Sequence, residues 1–177
     1  MTGETTVIIQ TGNLKLLPRT RADVLADLEA LPSHVRAQMS PAWLALLEAP
    51  VPCDPWIHGF TLVLSADDGS GRSDSDSGAP VGQCGFKGPP DADGMVEIAY
   101  MVESDHQGRG YATQAARALT DYALGHPSVR TVRAHTLPER NASTRILTKC
   151  GFQNTGEVMD PDDGPVWRWE KVREANC

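Results

Sequence analysis

The chain has 177 residues, 40% of them hydrophobic, which predicts one globular domain over residues 1–177 with its own core. Its 16 basic and 23 acidic side chains give a net charge of −7, which argues against nucleic acid and anionic membranes as partners. The printed sequence has no basic and apolar leader and no apolar run near ~20 residues. We therefore expect a cytoplasmic protein that does not cross a membrane. The four scattered cysteines predict neither a disulfide framework nor a metal site.

The first third of the chain predicts a short strand followed by two helices. Leu14–Leu17 is apolar and brief, as expected for a strand. Thr20 precedes leucines at helical spacing, a pattern typical of a capped helix that ends at Pro32. Ser40 and Pro41 begin the second helix in the same way, with a cap followed by proline in the first turn.

Two strands joined by a polar segment come next. Ile57–Leu64 is rich in β-forming residues and predicts one strand, and Val81–Phe86 predicts its neighbour. Gly82 and Gly85 lie within the second strand, where glycine indicates a bend or a close backbone approach. The intervening residues 66–80 offer almost nothing apolar to bury, so we expect a flexible hairpin loop rather than a domain linker.

One acidic residue lies within a strand that should be central. In Met95–Val102 the apolar residues alternate with a second face that carries Glu97. A carboxylate there costs free energy unless a cleft solvates it or a partner pairs with it. Poor solvation would raise its pKa, which suits a general base, whereas an exposed face or a structural ion pair would explain it without chemistry.

A glycine-containing loop follows this strand and opens a helix that ends near Gly125. The loop, Gln107–Thr113, reads Gln-Gly-Arg-Gly-Tyr-Ala-Thr. Glycines before a helix leave N–H groups unpaired at the positive end of the helix dipole, which favours phosphate. The Gly-Lys-Ser/Thr of a Walker loop is missing. The next strand ends in His135 and Thr136 rather than in the acidic residue of a dinucleotide site. An ordinary strand-to-helix turn remains the alternative.

The last part of the chain predicts strand, helix and two further strands. Val129–Thr136 follows the long helix, so it should pair in parallel with Met95–Val102 through a right-handed crossover. Asn141 or Ser143 can cap the next helix, and Gly151 can end it. The two final predicted strands are Phe152–Met159 and Val166–Val172.

Two separated motifs resemble the GNAT superfamily of N-acetyltransferases. Gln107, Gly110 and Ala112 fit the Gln-x-x-Gly-x-Ala pattern of its acyl-CoA pyrophosphate loop. The segment Leu137–Phe152 is similar to the family's Asn-then-Ser helix with its Lys-x-Gly-Phe ending. Its Ala-Ser-x-Arg phrase resembles the branch that acetylates ribosomal-protein N-termini and small-molecule relatives.

The sequence departs from the family pattern at two places. Gln114 stands where relatives commonly carry Glu, and Asn141 lies one position later than the family's asparagine.

The resemblance implies an α+β fold. Its mixed, mostly antiparallel sheet is flanked by about four helices and splays between two parallel strands to admit acetyl-CoA. Main-chain groups near Met101 and Val102 would pair with pantetheine, the loop amides would hold the pyrophosphate, and Asn141 would bond the pantetheine arm. The implied coenzyme-binding residues are Met101, Val102, Gln107, Gly108, Arg109, Gly110, Tyr111, Ala112, Thr113 and Asn141.

The resemblance also implies an acetyl-CoA-dependent N-acetyltransferase without a metal. Glu97 would accept the amine proton through water, and a main-chain N–H of Met101 or Val102 would stabilise the oxyanion. Ser143 would protonate the leaving thiolate, unless it only bonds the helix backbone. His135 is expected to be solvated rather than catalytic.

The acceptor implied is an amine-bearing small molecule or a peptide N-terminus, and a homodimer is a possible assembly. The alternative function is a module that binds or senses acyl-CoA without turnover.

Overall fold

The computed structural model describes residues 7–51, 53–65, 78–161 and 163–175. Most of the predicted loop 66–80 lies outside these ranges. Within them the chain forms eight strands and six α-helices, of which four are longer and two have a single turn. The elements are β1 (Ile9–Thr11), β2 (Leu14–Pro18), α1 (Arg21–Ala30), α2 (Ser33–Arg36), α3 (Pro41–Leu47), α4 (Pro55–His58), β3 (Phe60–Leu64), β4 (Pro80–Phe86), β5 (Met95–Val102), α5 (Tyr111–Gly125), β6 (Thr131–Thr136), α6 (Ala142–Lys149), β7 (Gln153–Asp160) and β8 (Gly164–Val172).

One mixed sheet contains all eight described strands, in the order β1-β2-β3-β4-β5-β6-β8-β7. Every neighbouring pair among them is antiparallel except β5 and β6, which are parallel. α5 connects these two strands. The mostly antiparallel sheet with a parallel central pair, predicted from the sequence, is confirmed.

The parallel strands β5 and β6 separate soon after they meet. They pair only from Met95 to Glu97, opposite Thr131 to Arg133. Beyond that point β5 stays bonded to β4 as far as Val102, and β6 stays bonded to β8 through its end. Each strand therefore keeps one paired edge and turns the other toward a gap, which confirms the predicted splay.

α5 covers the middle of the sheet with small side chains. Ala115, Ala116, Leu119 and Ala123 are fully buried on one face of the helix, as the spacing of the stripe predicts. Alanines allow the helix axis to approach the sheet closely, so the start of α5 is held firmly beside the end of β5. A smaller apolar cluster joins the early helices; its buried members are Val24, Leu28, Leu47 and Ile57.

The predicted strand Ile57–Leu64 is wrong in its first residues. Asp54 accepts a hydrogen bond from the N–H of Trp56 (2.9 Å), and Pro55 occupies the first helical position, so the chain forms the one-turn helix α4. Gly59 then takes φ 67°, a left-handed conformation that ends the helix and starts β3. Ile9–Thr11 adds an edge strand where the sequence predicted none.

None of the helices in the described ranges combines the length and apolar character needed to cross a bilayer. The cytoplasmic location and the homodimer stay predictions.

Among the described glycines, Gly82 leaves the least room for a side chain, as the glycines of β4 suggested. A Cβ atom at Gly82 would lie 2.1 Å from the main-chain oxygen of Met101 on β5. We therefore expect Gly82→Ala to lower the free energy of unfolding by about 2 kcal/mol, because the strands must shift apart. Urea denaturation measures the change.

Gly125→Ala is the matched control, since a Cβ there meets nothing within 4 Å. It should leave stability unchanged or raise it by up to about 1 kcal/mol, as alanine favours the helix. Equal urea midpoints for Gly82→Ala and the wild type would contradict the contact.

Candidate active site

The predicted phosphate loop lies at the start of α5, and its main-chain geometry suits an anion. Gly108 and Gly110 have φ values of 76° and 84°, the left-handed region that glycine adopts without strain. Gln114 makes the first helical bond, from its N–H to the carbonyl of Gly110 (3.1 Å). The N–H groups of Ala112 and Thr113 thus have no partner within the helix, and the helix dipole adds positive potential there.

Main-chain groups of β5 face the gap at alternate residues. The N–H of Lys87 donates to the carbonyl of Glu97 (2.9 Å), so the main chain of Glu97 points toward β4. Antiparallel bonding alternates every second residue, which places the polar main-chain groups of Met101 toward β4 as well. The polar main-chain groups of Tyr100 and Val102 point into the gap between β5 and β6. Of the two strand residues predicted to pair with pantetheine, Val102 therefore has the suitable orientation.

Two side chains shape the junction between β5 and the loop. The Nε2 of Gln107 donates to the carbonyl of Val102 (3.0 Å) and so ties the loop to the end of the strand. The Nδ1 of His106 is buried and has no hydrogen-bond partner among the described residues, although His106 lines the neighbouring cleft. A buried polar atom without a partner costs free energy, and a polar ligand in the cleft would remove that cost.

The resulting cleft has a volume of about 600 Å³. The structure brings all but two of the predicted coenzyme residues together there, and adds Tyr100, His106, Arg145 and Lys149. The exceptions among the described residues are Arg109, which is exposed, and Asn141. The predicted residues that line the cleft are Met101, Val102, Gln107, Gly108, Gly110, Tyr111, Ala112 and Thr113, together with Ser143.

Asn141 caps α6, as one of the two predicted possibilities. Its side-chain oxygen accepts from the N–H of Thr144, and the Thr144 hydroxyl accepts from the N–H of Asn141, both at 3.0 Å. Asn141 also lines a separate pocket beside Trp167 and Trp169. The structure therefore assigns the side chain of Asn141 to the helix cap, and its contact with the coenzyme stays a prediction.

Glu97 lies where β5 and β6 begin to separate, between two donors. Its Oε1 atom is 2.8 Å from Lys87 Nζ and 2.9 Å from His135 Nδ1, and its side chain is 16% exposed. Burial alone would raise the pKa of Glu97, but the hydrogen bonds from His135 and Lys87 outweigh burial and lower the pKa below its ordinary value. The ion pair that the sequence left as an alternative is therefore present, with His135 on β6 and Lys87 directly after β4 as the two partners of Glu97.

His135 is not solvated, contrary to the sequence-based expectation. Its side chain is 8% exposed, and Arg168 Nε approaches its Nε2 at 3.5 Å. Pairing with β8 places Arg168 directly opposite His135, and the register with β5 sets His135 beside Glu97. The alternation of β6 puts His135 on a definite face, but only the register between strands reveals its partners.

Tyr100 is a site residue that the sequence reasoning missed. The alternation of β5 groups Tyr100 with its apolar residues, yet its side chain lines the cleft together with Ser143. Burial raises the pKa of Tyr100 to about 12, with the Ser143 side chain opposing the shift, so the phenol keeps its proton at neutral pH. A tyrosine hydroxyl among aliphatic residues was the available signal.

Two further cavities continue from the gap on the side away from the loop. One, of about 350 Å³, is lined by Glu97, His135, Tyr100 and Ser143 among others. The next, a groove of about 420 Å³, runs between the early helices and β4. Tyr100 and Lys87 line both, so the spaces adjoin. Within the described ranges no group of three or more His, Cys, Asp or Glu side chains could hold a metal ion.

The lowered pKa of Glu97 predicts a pH-dependent contribution to stability. A carboxylate whose folded pKa is depressed stabilises the fold above its unfolded value, here 4.5, and loses that contribution as the pH falls through the folded pKa. We expect Glu97→Gln to lower the free energy of unfolding at neutral pH. The deficit should shrink as the pH falls from 4.5 through the folded pKa of Glu97, below which glutamic acid and glutamine are both neutral.

Urea titrations over that range measure the deficit, with Glu139→Gln as the control because Glu139 is an exposed glutamate. A deficit that grows as the pH falls would contradict the arrangement of donors around Glu97.

Comparison with known proteins places this site in a family. Residues 19–153, well over half of the chain, match the acetyltransferase (GNAT) domain. The uncharacterized N-acetyltransferase YjdG of Bacillus subtilis (strain 168) is 32% identical over 99 residues, which cover 52% of this chain and 59% of YjdG. The chain spans three fifths or less of the length of the curated relatives that it matches.

Solved structures share the fold at low identity. RimL, a ribosomal L7/L12 alpha-N-protein acetyltransferase, superimposes with a TM-score of 0.62 at 15% identity, covering 96% of this chain and all of RimL. The aminoglycoside acetyltransferase AAC(6′)-Ib in complex with coenzyme A superimposes with a TM-score of 0.59 at 20% identity, and the match covers 90% of this chain and 95% of AAC(6′)-Ib. The match over residues 19–153 and this shared fold lead to one conclusion: the chain belongs to the GNAT family of acetyltransferases.

Proposed function

We propose that this chain transfers the acetyl group of acetyl-CoA to the primary amine of a small molecule or a peptide N-terminus. The observation that carries the proposal is the gap between β5 and β6, which opens directly beside the left-handed glycines of the loop. The alpha-N-protein acetyltransferase RimL and the aminoglycoside acetyltransferase AAC(6′)-Ib share this fold, and the substrates in their names support an amine acceptor.

The residues of the cleft fit coenzyme A. The loop from Gly108 to Thr113 suits the diphosphate, since the N–H groups of Ala112 and Thr113 have no partner within the helix and lie at its N-terminus. The main chain of Tyr100 and the main-chain N–H of Val102 suit the pantetheine amides, and His106 has a buried ring nitrogen to offer. Acetyl-CoA itself supplies a thioester whose carbonyl carbon the amine attacks.

Glu97 remains the group that we propose as the proton acceptor, through water. Because Lys87 and His135 keep it ionised at neutral pH, its carboxylate attracts an ammonium group and receives a proton without first losing one. It lies where β5 and β6 begin to separate, and it lines the cavity that shares Tyr100 with both the cleft and the groove. A N–H at the gap, from Tyr100 or Val102, would stabilise the oxyanion that forms during attack.

Ser143 and Tyr100 form the proposed proton-donating pair. Both side chains line the cleft and the cavity beyond it, so they border the place where a thioester would react. The phenol of Tyr100 keeps its proton at neutral pH, and Ser143 acts on its pKa. We propose that Ser143 protonates the leaving thiolate and that Tyr100 orients and recharges Ser143.

The groove beside the early helices is the proposed acceptor site. Its apolar wall includes Met39, Trp43 and Phe86, and its polar members include Gln83 and Asp163. Such a mixture suits an amine carried on a partly apolar body. Because one sheet runs from β1 to β8, we further propose that the whole chain acts as one acetyltransferase domain.

Thiol release from acetyl-CoA tests the function. The full chain is incubated with acetyl-CoA and a panel of small amines and N-terminal peptides, and product masses are recorded. We expect release of coenzyme A together with an acetylated amine. Thermal stabilisation by coenzyme A without product from any amine would instead identify a binding module and overturn the proposal.

Variants test the assigned roles once an active amine is found. Glu97→Gln should lower kcat/KM by about 100-fold or more, the range typical of a lost general base. Ser143→Ala and Tyr100→Phe should each lower kcat, and their effects should not add because the two hydroxyls act as one pair. Glu139→Gln serves as the exposed control. A full rate in Glu97→Gln at all pH values would remove Glu97 from the mechanism.

A further inference from the structure

Lys87 carries a primary amine held within the proposed active site. It follows the last residue of β4, and its Nζ lies 2.8 Å from Oε1 of Glu97. The main-chain N–H of Lys87 also donates to the carbonyl of Glu97 (2.9 Å), so Glu97 bonds both the backbone and the side chain of Lys87. The Lys87 side chain is 44% exposed, whereas that of Glu97 is 16% exposed.

The amine of Lys87 lies at the junction of two cavities. Lys87 lines the space that contains Tyr100 and Ser143, and it also lines the groove proposed for the acceptor. If Glu97 accepts a proton from an external amine, that amine must approach the carboxylate that Lys87 already contacts. The amine of Lys87 therefore occupies the position beside Glu97 that the amine of an acceptor would take.

The surrounding charges keep this amine protonated until a proton is transferred. Burial would lower the pKa of Lys87, but its hydrogen bond and attraction to Glu97, with Asp163 and Asp160 nearby, raise the pKa above its ordinary value. Direct contact with Glu97 gives the proton a path along an existing hydrogen bond. The protonated amine of Lys87 is not a nucleophile, and it becomes one only after Glu97 has taken a proton from it.

We propose that Lys87 is a self-acetylation site, modified by the protein's own acetyl-CoA when no external acceptor is bound. This inference rests on the proposed function. The Lys87 ammonium gives one proton to Glu97, and its nitrogen lone pair attacks the thioester carbonyl. The new C–N bond forms, the C–S bond breaks, and coenzyme A leaves as a thiol after taking a second proton from the nitrogen. The product is Nε-acetyl-lysine.

The other lysines provide internal controls. The sequence has four lysines. Within the described residues, Lys87 is the one whose Nζ lies within 4.0 Å of a carboxylate oxygen. Lys15 lies on β2, Lys149 lines the coenzyme cleft, and Lys171 donates to the carbonyl of Cys150 (3.0 Å). Chemical acetylation from solution would not select Lys87 from this set.

Mass spectrometry of the full chain tests the proposal. The protein is incubated with acetyl-CoA and no acceptor, then measured intact and mapped by peptides. We expect one acetyl group on Lys87, at a rate independent of protein concentration, and loss of this label in Lys87→Arg but not in the matched variant Lys15→Arg. Glu97→Gln should slow labelling by about 10-fold or more, because the proton acceptor is gone.

Three results would overturn the proposal: similar labelling of all four lysines, equal labelling of Lys87 by acetyl phosphate, or full labelling in Glu97→Gln. The wild-type map decides the question even where Lys87→Arg does not fold. Turnover of an external amine separates this inference from the proposed function. If such an amine is acetylated and Lys87 stays unlabelled, the inference fails and the proposed function stands.

Discussion

The site depends on one structural constraint, the loss of pairing between β5 and β6 after three residues. Each strand keeps its other neighbour, β4 or β8, so the sheet stays intact while the edges facing the gap carry unpaired main-chain groups. Such groups need partners, because unsatisfied N–H and C=O groups are costly when water is excluded. A ligand with its own amides and a diphosphate meets that need along the gap and at the start of α5.

Charged side chains lie at the inner end of the gap, where β5 and β6 begin to separate. Glu97 is held between Lys87 and His135, and this network makes it a stable carboxylate rather than a poorly solvated acid. A lowered pKa weakens its intrinsic basicity but guarantees its charge at neutral pH. Under the proposed function, this charge would attract a cationic acceptor before any proton is transferred. Ser143 and Tyr100, by contrast, supply neutral hydroxyls on the side of the gap that faces the coenzyme cleft.

Local patterns allowed much of this architecture to be predicted. The spacing of apolar residues located β5 and α5, and the two glycines of the loop marked the anion seat, because each signal acts over a few neighbouring residues. The helical turn at Ile57 was missed because Asp54 and Pro55 outweighed β propensity. Contacts set by strand register could not be read from one sequence: the main chain of Met101 points toward β4, His135 contacts Glu97, and Tyr100 lines the same cleft as Ser143.

Amide hydrogen exchange with and without coenzyme A is the most direct test of the central claim, that the gap and the loop hold the coenzyme through main-chain groups. The account predicts slower exchange on binding at the N–H groups of Tyr100 and Val102 and throughout Gly108–Thr113. Binding of coenzyme A that leaves these amides unchanged, and protects the pocket beside Trp167 and Trp169 instead, would contradict it.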